Sequence, residues 1–343
     1  MFKRVIAGVV PGFMLGACFF AFGVGAFGQA GAGGKKADAG RNLSDLPDNP
    51  QSIAHQNAAK KMAGDDPVLN RVWTFFCTVN DINKPGLDLE GMKVFDNLYA
   101  LTSSPFQQTT VWAITTPDGI IMIDSGEQGR QQKVLDGFQK LGLDPSKVKY
   151  ILLGHGHGDH YANSAYFQEK YGTRVATTAA DWDMMFPADK PLKQNDDRPH
   201  RDLVLKEGQP ITLGGETINI IEIPGHTPGS VAFIFNVKEG NTTHVAGMYG
   251  GTILGQNRIT TDGLKQYLRS VDHYLEAAKK MNVDVEIQNH ALFDETPARF
   301  EKLKARKPGE PNPFLMPIAK YTNFWGIVSE CIEAEISRRP ASN

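Results

Sequence analysis

Alternation of apolar and polar positions sets in near Val94 and continues through residues 111–115 and 120–124, with the turn signal Pro117-Asp118-Gly119 between the last two. Successive side chains of an extended chain point to opposite faces, so this period of two predicts strands. Over residues 130–141 the period lengthens: Val134, Leu135, Phe138 and Leu141 fall on one stripe, which predicts an amphipathic helix. Residues 148–153 return to strand, residues 163–171 to helix, and further strands fit 173–177, 216–223, 231–236 and 243–248. Leu264, Tyr267, Leu268, Val271, Leu275 and Ala278 mark a second strong helix, and four prolines between Pro308 and Pro317 make a connector to a terminal helix over 321–336. The strand–helix–strand rhythm is that of an α/β protein, and no repeat of solenoid length interrupts it.

The first 28 residues follow a different pattern. Lys3 and Arg4 precede an uncharged apolar run to Phe27, and Ala26 and Gly28 are small residues suited to cleavage before Gln29. This predicts a signal peptide or, given the length of the run, a membrane anchor. Leu15-Gly16-Ala17-Cys18 has the outline of a lipoprotein box, but Phe19 and Phe20 after the cysteine disfavour it. The expected location is periplasmic or secreted, with no stable membrane insertion unless the leader stays uncleaved. Residues 29–66 read as an N-terminal arm with a short helix over 53–62. Residues 67–307 are then expected to form the main domain, and 308–343 the connector and a C-terminal helix packing on that domain.

Composition narrows the function more than the fold. The 343 residues carry Lys+Arg 36 against Asp+Glu 38 without a long run of one sign, which argues against a nucleic-acid partner. At 41% hydrophobic the chain builds a core without staples. Beyond the leader, Cys77 and Cys331 are read equally well as a disulfide of an oxidising compartment or as two buried thiols.

The chemistry is concentrated after the strand ending at Leu153, where Gly154-His155-Gly156-His157-Gly158-Asp159-His160 sets three imidazoles and a carboxylate within six positions. Neutral imidazole and carboxylate are zinc ligands, and the intervening glycines let the backbone turn sharply enough to aim several of them at one point. A solvated polar loop is the bland alternative. A dinucleotide-binding turn is another, with Asp181 on a ribose, but the glycine spacing is wrong and histidines crowd the phosphate position. Ser146 and Lys149 match Ser-x-x-Lys without the companion motifs of a serine β-lactamase, and Gly-x-Ser-x-Gly is absent. His55, His200, His244 and His273 read as packed or surface residues.

The run resembles the His-x-His-x-Asp-His signature of the metallo-β-lactamase fold superfamily. Pro224-Gly225-His226-Thr227-Pro228-Gly229-Ser230 is similar to its next metal-binding turn, His290 stands where a last histidine is expected, and Ile123-Asp124-Ser125-Gly126 resembles its first motif, whose aspartate is a structural support. The resemblance implies an αββα sandwich of two mixed β-sheets with helices on the outer faces. It implies two Zn2+ ions, one on His155, His157 and His226 and one on Asp159, His160 and His290, with Asp159 also catalytic through the water that it orients. Many hydrolases of the superfamily carry a bridging aspartate after the strand corresponding to 243–248. This chain has Gly247-Met248-Tyr249-Gly250-Gly251 there, and with His160 and no cysteine ligand the pattern is most like subclass B3. The implied activity is hydrolysis of a small-molecule substrate, a cyclic amide and a β-lactam first, by metal-activated hydroxide. The alternatives are another lactone, ester or amide in a catabolic role, or a noncatalytic zinc-binding module. Tyr161-Ala162-Asn163 departs from the small residues usual after Asp159-His160 and leaves substrate shape open.

Overall fold

The structure, a computed structural model, describes residues 43–79, 86–105, 108–189, 196–292 and 294–340. The leader lies outside them. Among the described residues no helix is long and apolar enough to cross a membrane.

Two sheets form the frame. The first has seven strands in sequence order: β1 (Leu89–Lys93), β2 (Leu98–Ser103), β3 (Thr110–Thr116), β4 (Gly119–Ile123), β5 (Val148–Leu152), β6 (Arg174–Thr177) and β7 (Leu203–Val204). It is antiparallel from β1 to β4 and parallel from β4 to β7. The second has five strands: β8 (Ile211–Leu213), β9 (Glu216–Glu222), β10 (Val231–Glu239), β11 (Thr242–Tyr249) and β12 (Val285–Glu286). It is antiparallel except for the β11–β12 pair. Both sheets are therefore mixed, and three apolar layers show how they stack.

The middle layer joins the sheets: Trp112 and Ile114 of β3 and Ile121 and Ile123 of β4 pack with Phe233, Phe235 and Val237 of β10 and with Met248. Neighbouring positions on the same strands face outward. Val111 and Ala113 of β3 and Ile120 and Met122 of β4 meet Val134 and Phe138 of α3 (Gln131–Lys140), Phe167 of α5 (Ser164–Tyr171) and Trp182 of α6 (Ala179–Met185). On the far side, Ala232 and Ile234 of β10 pack under α7 (Thr261–Lys280) and α9 (Ile318–Arg338) through Tyr267, Val271, Trp325 and Val328. This is an αββα sandwich. Strands buried on both faces read as continuous apolar runs, which is why alternation along β3, β4 and β10 is weaker than in a half-exposed strand.

The short helix expected over 53–62 is α1 (Pro50–Ala63). Its extra turn is set by a capping box, in which Ser52 N donates to Asn49 Oδ1 and Asn49 N to Ser52 Oγ, both at 2.9 Å, with Pro50 at the first helical position. It lies along α9, where Asn49 Nδ2 donates to Ser337 O at 2.5 Å. After α2 (Pro67–Trp73) a π-helical turn, Thr74–Val79, carries Cys77 into a disulfide with Cys331 of α9. Gln256 Nε2 donates to Phe76 O at 2.9 Å beside that bridge, and Arg339 donates to Gln256 O and Ile259 O, both at 2.6 Å, so the two chain ends together grip the segment after β11. Closing so long a loop removes chain entropy from the unfolded state. Replacing both cysteines with serine is expected to lower stability by about 2–5 kcal/mol. A denaturant midpoint unchanged by the double substitution would show that the bridge contributes nothing.

Candidate metal centre

All six residues singled out from the sequence lie at one rim of the sandwich, on loops that follow strands of both sheets. The segment after β5 supplies His155, His157, Asp159 and His160, the last two from the single turn α4 (Gly158–Tyr161). The turn after β9 supplies His226, and the loop after β12 supplies His290.

They form two adjoining groups of three. In the first, His226 Nε2 lies 3.0 Å from His155 Nε2 and 3.1 Å from His157 Nδ1. In the second, His160 Nε2 lies 3.1 Å from His290 Nε2 and 3.2 Å from Asp159 Oδ2, and the His290 to Asp159 separation is 3.8 Å. The His155 and His160 rings, 4.0 Å apart by centroid, join the groups. His55, His200, His244 and His273 stand apart; three of them pair with Glu330, Asp284 and Glu207 respectively in the order His55, His244, His273.

The chemistry of these donors fits a cation. His155 Nδ1 lies 2.6 Å from Gly250 O, a carbonyl that only accepts, so its proton is spent there and Nε2 of the neutral ring presents a lone pair to the group. Burial, reinforced by the neighbouring imidazoles, holds His155 and His226 well below the usual histidine range, and burial also lowers His157. Neutral rings with converging lone pairs favour a shared positive charge. The second group behaves differently. Burial alone would strip His160 of its proton, but Asp159 and Asp124 raise it to about 10. Burial likewise opposes ionisation of Asp159, yet His160, His290 and His157 hold its carboxyl far below the ordinary carboxylate range. A divalent ion held by this group would take the place of the proton that Asp159 and His160 share.

The supports behind these groups explain their aim. Asp124, in the left-handed backbone region at φ 59°, accepts from Gly154 N at 2.8 Å through Oδ1 and meets His160 Nδ1 at 2.7 Å through Oδ2. It acts as the structural aspartate that the resemblance implies. Asn289 Nδ2 donates to Asp124 Oδ2 at 3.1 Å and to Gly250 O at 3.0 Å, and Thr109 Oγ1 donates to Asp159 Oδ2 at 3.2 Å. Asp181 of α6 is a further support that the sequence did not reveal. One buried carboxylate there accepts from Gly156 N at 2.7 Å, Gly229 N at 2.8 Å and Thr227 Oγ1 at 2.8 Å, locking the His155–His157 segment to the His226 turn. Only Asn289 had a local signal, its place beside His290. Trp182, of the same helix as Asp181, belongs to the core: it is fully buried and donates from Nε1 to Leu203 O at 2.7 Å.

Comparison with known proteins agrees with this geometry. Residues 104–238 match the family model described as the metallo-beta-lactamase superfamily. A hydroxyacylglutathione hydrolase of Cereibacter sphaeroides is 39% identical over 26% of this chain and 30% of its own length, so the match spans less than a third of that relative. A hydroxyacylglutathione hydrolase of Hyphomonas neptunium is 28% identical over 64% of this chain and 82% of its own length. Among solved structures, a subclass B3 metallo-beta-lactamase of Bradyrhizobium japonicum superposes with a TM-score of 0.55 at 24% identity, covering 70% of this chain and 91% of that one.

Proposed function

We propose, from the match of residues 104–238 to the metallo-beta-lactamase superfamily model and from the αββα frame, that the chain is an exported dinuclear zinc hydrolase that opens a cyclic amide, with β-lactams as the first substrate class. The observation that carries this reading is the pair of adjoining three-donor groups, since three protein ligands leave a tetrahedral zinc one position short, as catalytic sites require. Ions seated there supply Lewis acidity and an activated water near neutral pH. The protein's own part is to hold the donors. Gly250 O fixes the tautomer of His155, Asp124 orients His160, and Thr109 steadies the Asp159 carboxylate beside the reacting water.

A second reading, thioester hydrolysis, is favoured by the names of the curated relatives. The end of β11 weighs against it, because hydrolases of that type resemble one another in an acid that bridges the metals from this position. Here a Cβ on Gly250 would lie 2.3 Å from Val231 O, and one on Gly251 would lie 2.9 Å from His226 Cβ. Tyr249 is buried on the helix-packed side. No acid fits there without backbone movement.

Zinc-loaded and chelated protein should be assayed on a β-lactam, a lactone and a hydroxyacyl-glutathione thioester. Ring opening of the β-lactam, lost on chelation and restored by zinc, is the expected result. Turnover of the thioester alone would transfer the assignment to the second reading, and ion binding without turnover of any of the three would leave a noncatalytic module.

A further inference from the structure

Behind His290, on the side away from the cleft, lies a group of charges that the site chemistry does not use. Glu286 of β12 and Asp294 are fully buried, and Arg299 of α8 (Thr296–Ala305) is nearly so. Arg299 Nη1 donates to Glu286 O at 3.0 Å, to Glu286 Oε2 at 2.6 Å and, more distantly, to Asp294 Oδ2 at 3.5 Å. These contacts close a loop of chain with His290 near its middle. Glu286 Oε1 accepts from Gln288 Nε2 at 2.8 Å, and Gln288 Oε1 accepts from Thr252 Oγ1 at 2.7 Å. On the opposite flank Trp112 Nε1 donates to Gln288 O and Thr110 N to Asn289 O, both at 2.8 Å, and Ala291 N donates to Gln108 O at 2.9 Å. The His290 backbone is therefore held from two sides, by the β3 edge and by the buried charges.

We propose that Arg299, Glu286 and Asp294 form a buried clasp that positions His290 and so sets how tightly the Asp159–His160–His290 group holds its ion. The inference rests on the dinuclear reading above. Side chains that orient a metal ligand from outside the coordination sphere commonly change metal affinity by about 10–100-fold. A wholly apolar replacement would pack the space equally well but would not fix the loop's register.

The clasp also has an excess of negative charge, two carboxylates on one guanidinium. Burial, then the nearby Glu286, pushes the Asp294 carboxyl up to about 7, with Arg299 and Thr296 opposing. From the α2 side, the Asp66 charge reaches Arg299, Lys320 of α9 pairs with Asp66, and Arg71 Nε donates to Leu292 O at 2.6 Å. An acid raised in this way binds a proton in the folded state that the unfolded chain has already lost. Its contribution to stability therefore falls as pH rises from about 4 to about 7.

The test uses the full chain, with zinc stoichiometry and site-resolved affinity measured against a chromophoric chelator and the absorption of the cobalt-substituted protein recorded in parallel. Arg299→Met is expected to weaken the second ion by about 10–100-fold and alter its cobalt bands. The three-histidine ion, whose ligands the clasp does not touch, should lose less affinity than the second ion. Asp294→Asn keeps the shape of the side chain but removes its charge from Arg299; it is expected to weaken the second ion by about tenfold, the lower end of that range, and decides the matter should Arg299→Met not fold. Wild-type second-ion affinity and cobalt bands in Arg299→Met, or in Asp294→Asn where the first variant does not fold, overturn the clasp. A wild-type protein that takes up fewer than two ions overturns the dinuclear reading and the clasp with it.

Discussion

Alanine in place of His226 is expected to empty the three-histidine site and lower turnover by roughly a thousandfold or more, while the metal-free protein unfolds as before. The magnitude follows from the several kcal/mol that a Lewis-acidic ion supplies to a hydrolytic transition state, each ~1.4 kcal/mol being a factor of ten in rate. The harmless effect on the apo fold follows from position. His226 stands on a turn after β9, half-buried, and its ring meets chiefly His155 and His157. Removing it opens no core cavity and strands no backbone group. His160 would be a poor choice for the same experiment, because it is fully buried between Asp124 and Asp159 and its loss leaves the buried Asp124 and the partly buried Asp159 without their common partner. Ion content, kcat and the thermal midpoint of chelated protein measured together are the check. A His226→Ala protein that retains its full ion content and turnover would remove the three-histidine group from the catalytic scheme.

The second large effect is expected at Asp181. Alanine there leaves Gly156 N, Gly229 N and Thr227 Oγ1 without the acceptor that now serves all three. Thr227 Oγ1 can turn to Ser230 Oγ at 2.6 Å, but a buried donor without a partner costs about 1–3 kcal/mol, so stranding the two backbone N–H groups is expected to lower stability by about 2–6 kcal/mol. Affinity at the three-histidine site should fall by about 10–100-fold, because the two turns that carry His155, His157 and His226 lose their common anchor. Burial raises the Asp181 carboxyl against the pull of Thr227 and the two backbone donors, so asparagine, which is neutral but keeps one acceptor oxygen, should fall between wild type and alanine. Denaturant midpoints and zinc competition distinguish these outcomes. A stable Asp181→Ala protein with wild-type zinc affinity would reduce the three bonds to incidental contacts.

The contrast between these two residues shows what the sequence could reveal. The His155–His160 run declares itself because its donors are consecutive and separated by glycines, a local pattern with few other uses. His226 and His290 became recognisable only through resemblance, since each is one histidine in an otherwise ordinary turn. Asp181 carried no signal: its partners lie 25, 46 and 48 positions away, and a lone aspartate early in a helix reads as a favourable dipole contact. Among the fold elements, the long strands and α3 and α7 followed from periodicity. The two-residue strands β7 and β12 and the three-residue β8 are too short to show a period, and only pairing with their neighbours defines them. The Cys77–Cys331 pairing also required the folded arrangement of α9 against the N-terminal helices.

That the six donors are drawn from loops of both sheets would give bound ions a second task. An ion held by His155 and His157 after a strand of the first sheet and by His226 after a strand of the second would span the seam of the sandwich, as would one between His160 and His290. Whatever opens that seam must first surrender the ions, so every tenfold rise in free zinc above the dissociation constant adds about 1.4 kcal/mol per site against unfolding. On the proposed reading, scarcity of the metal would therefore act twice on the protein, silencing it and then lowering its resistance to unfolding.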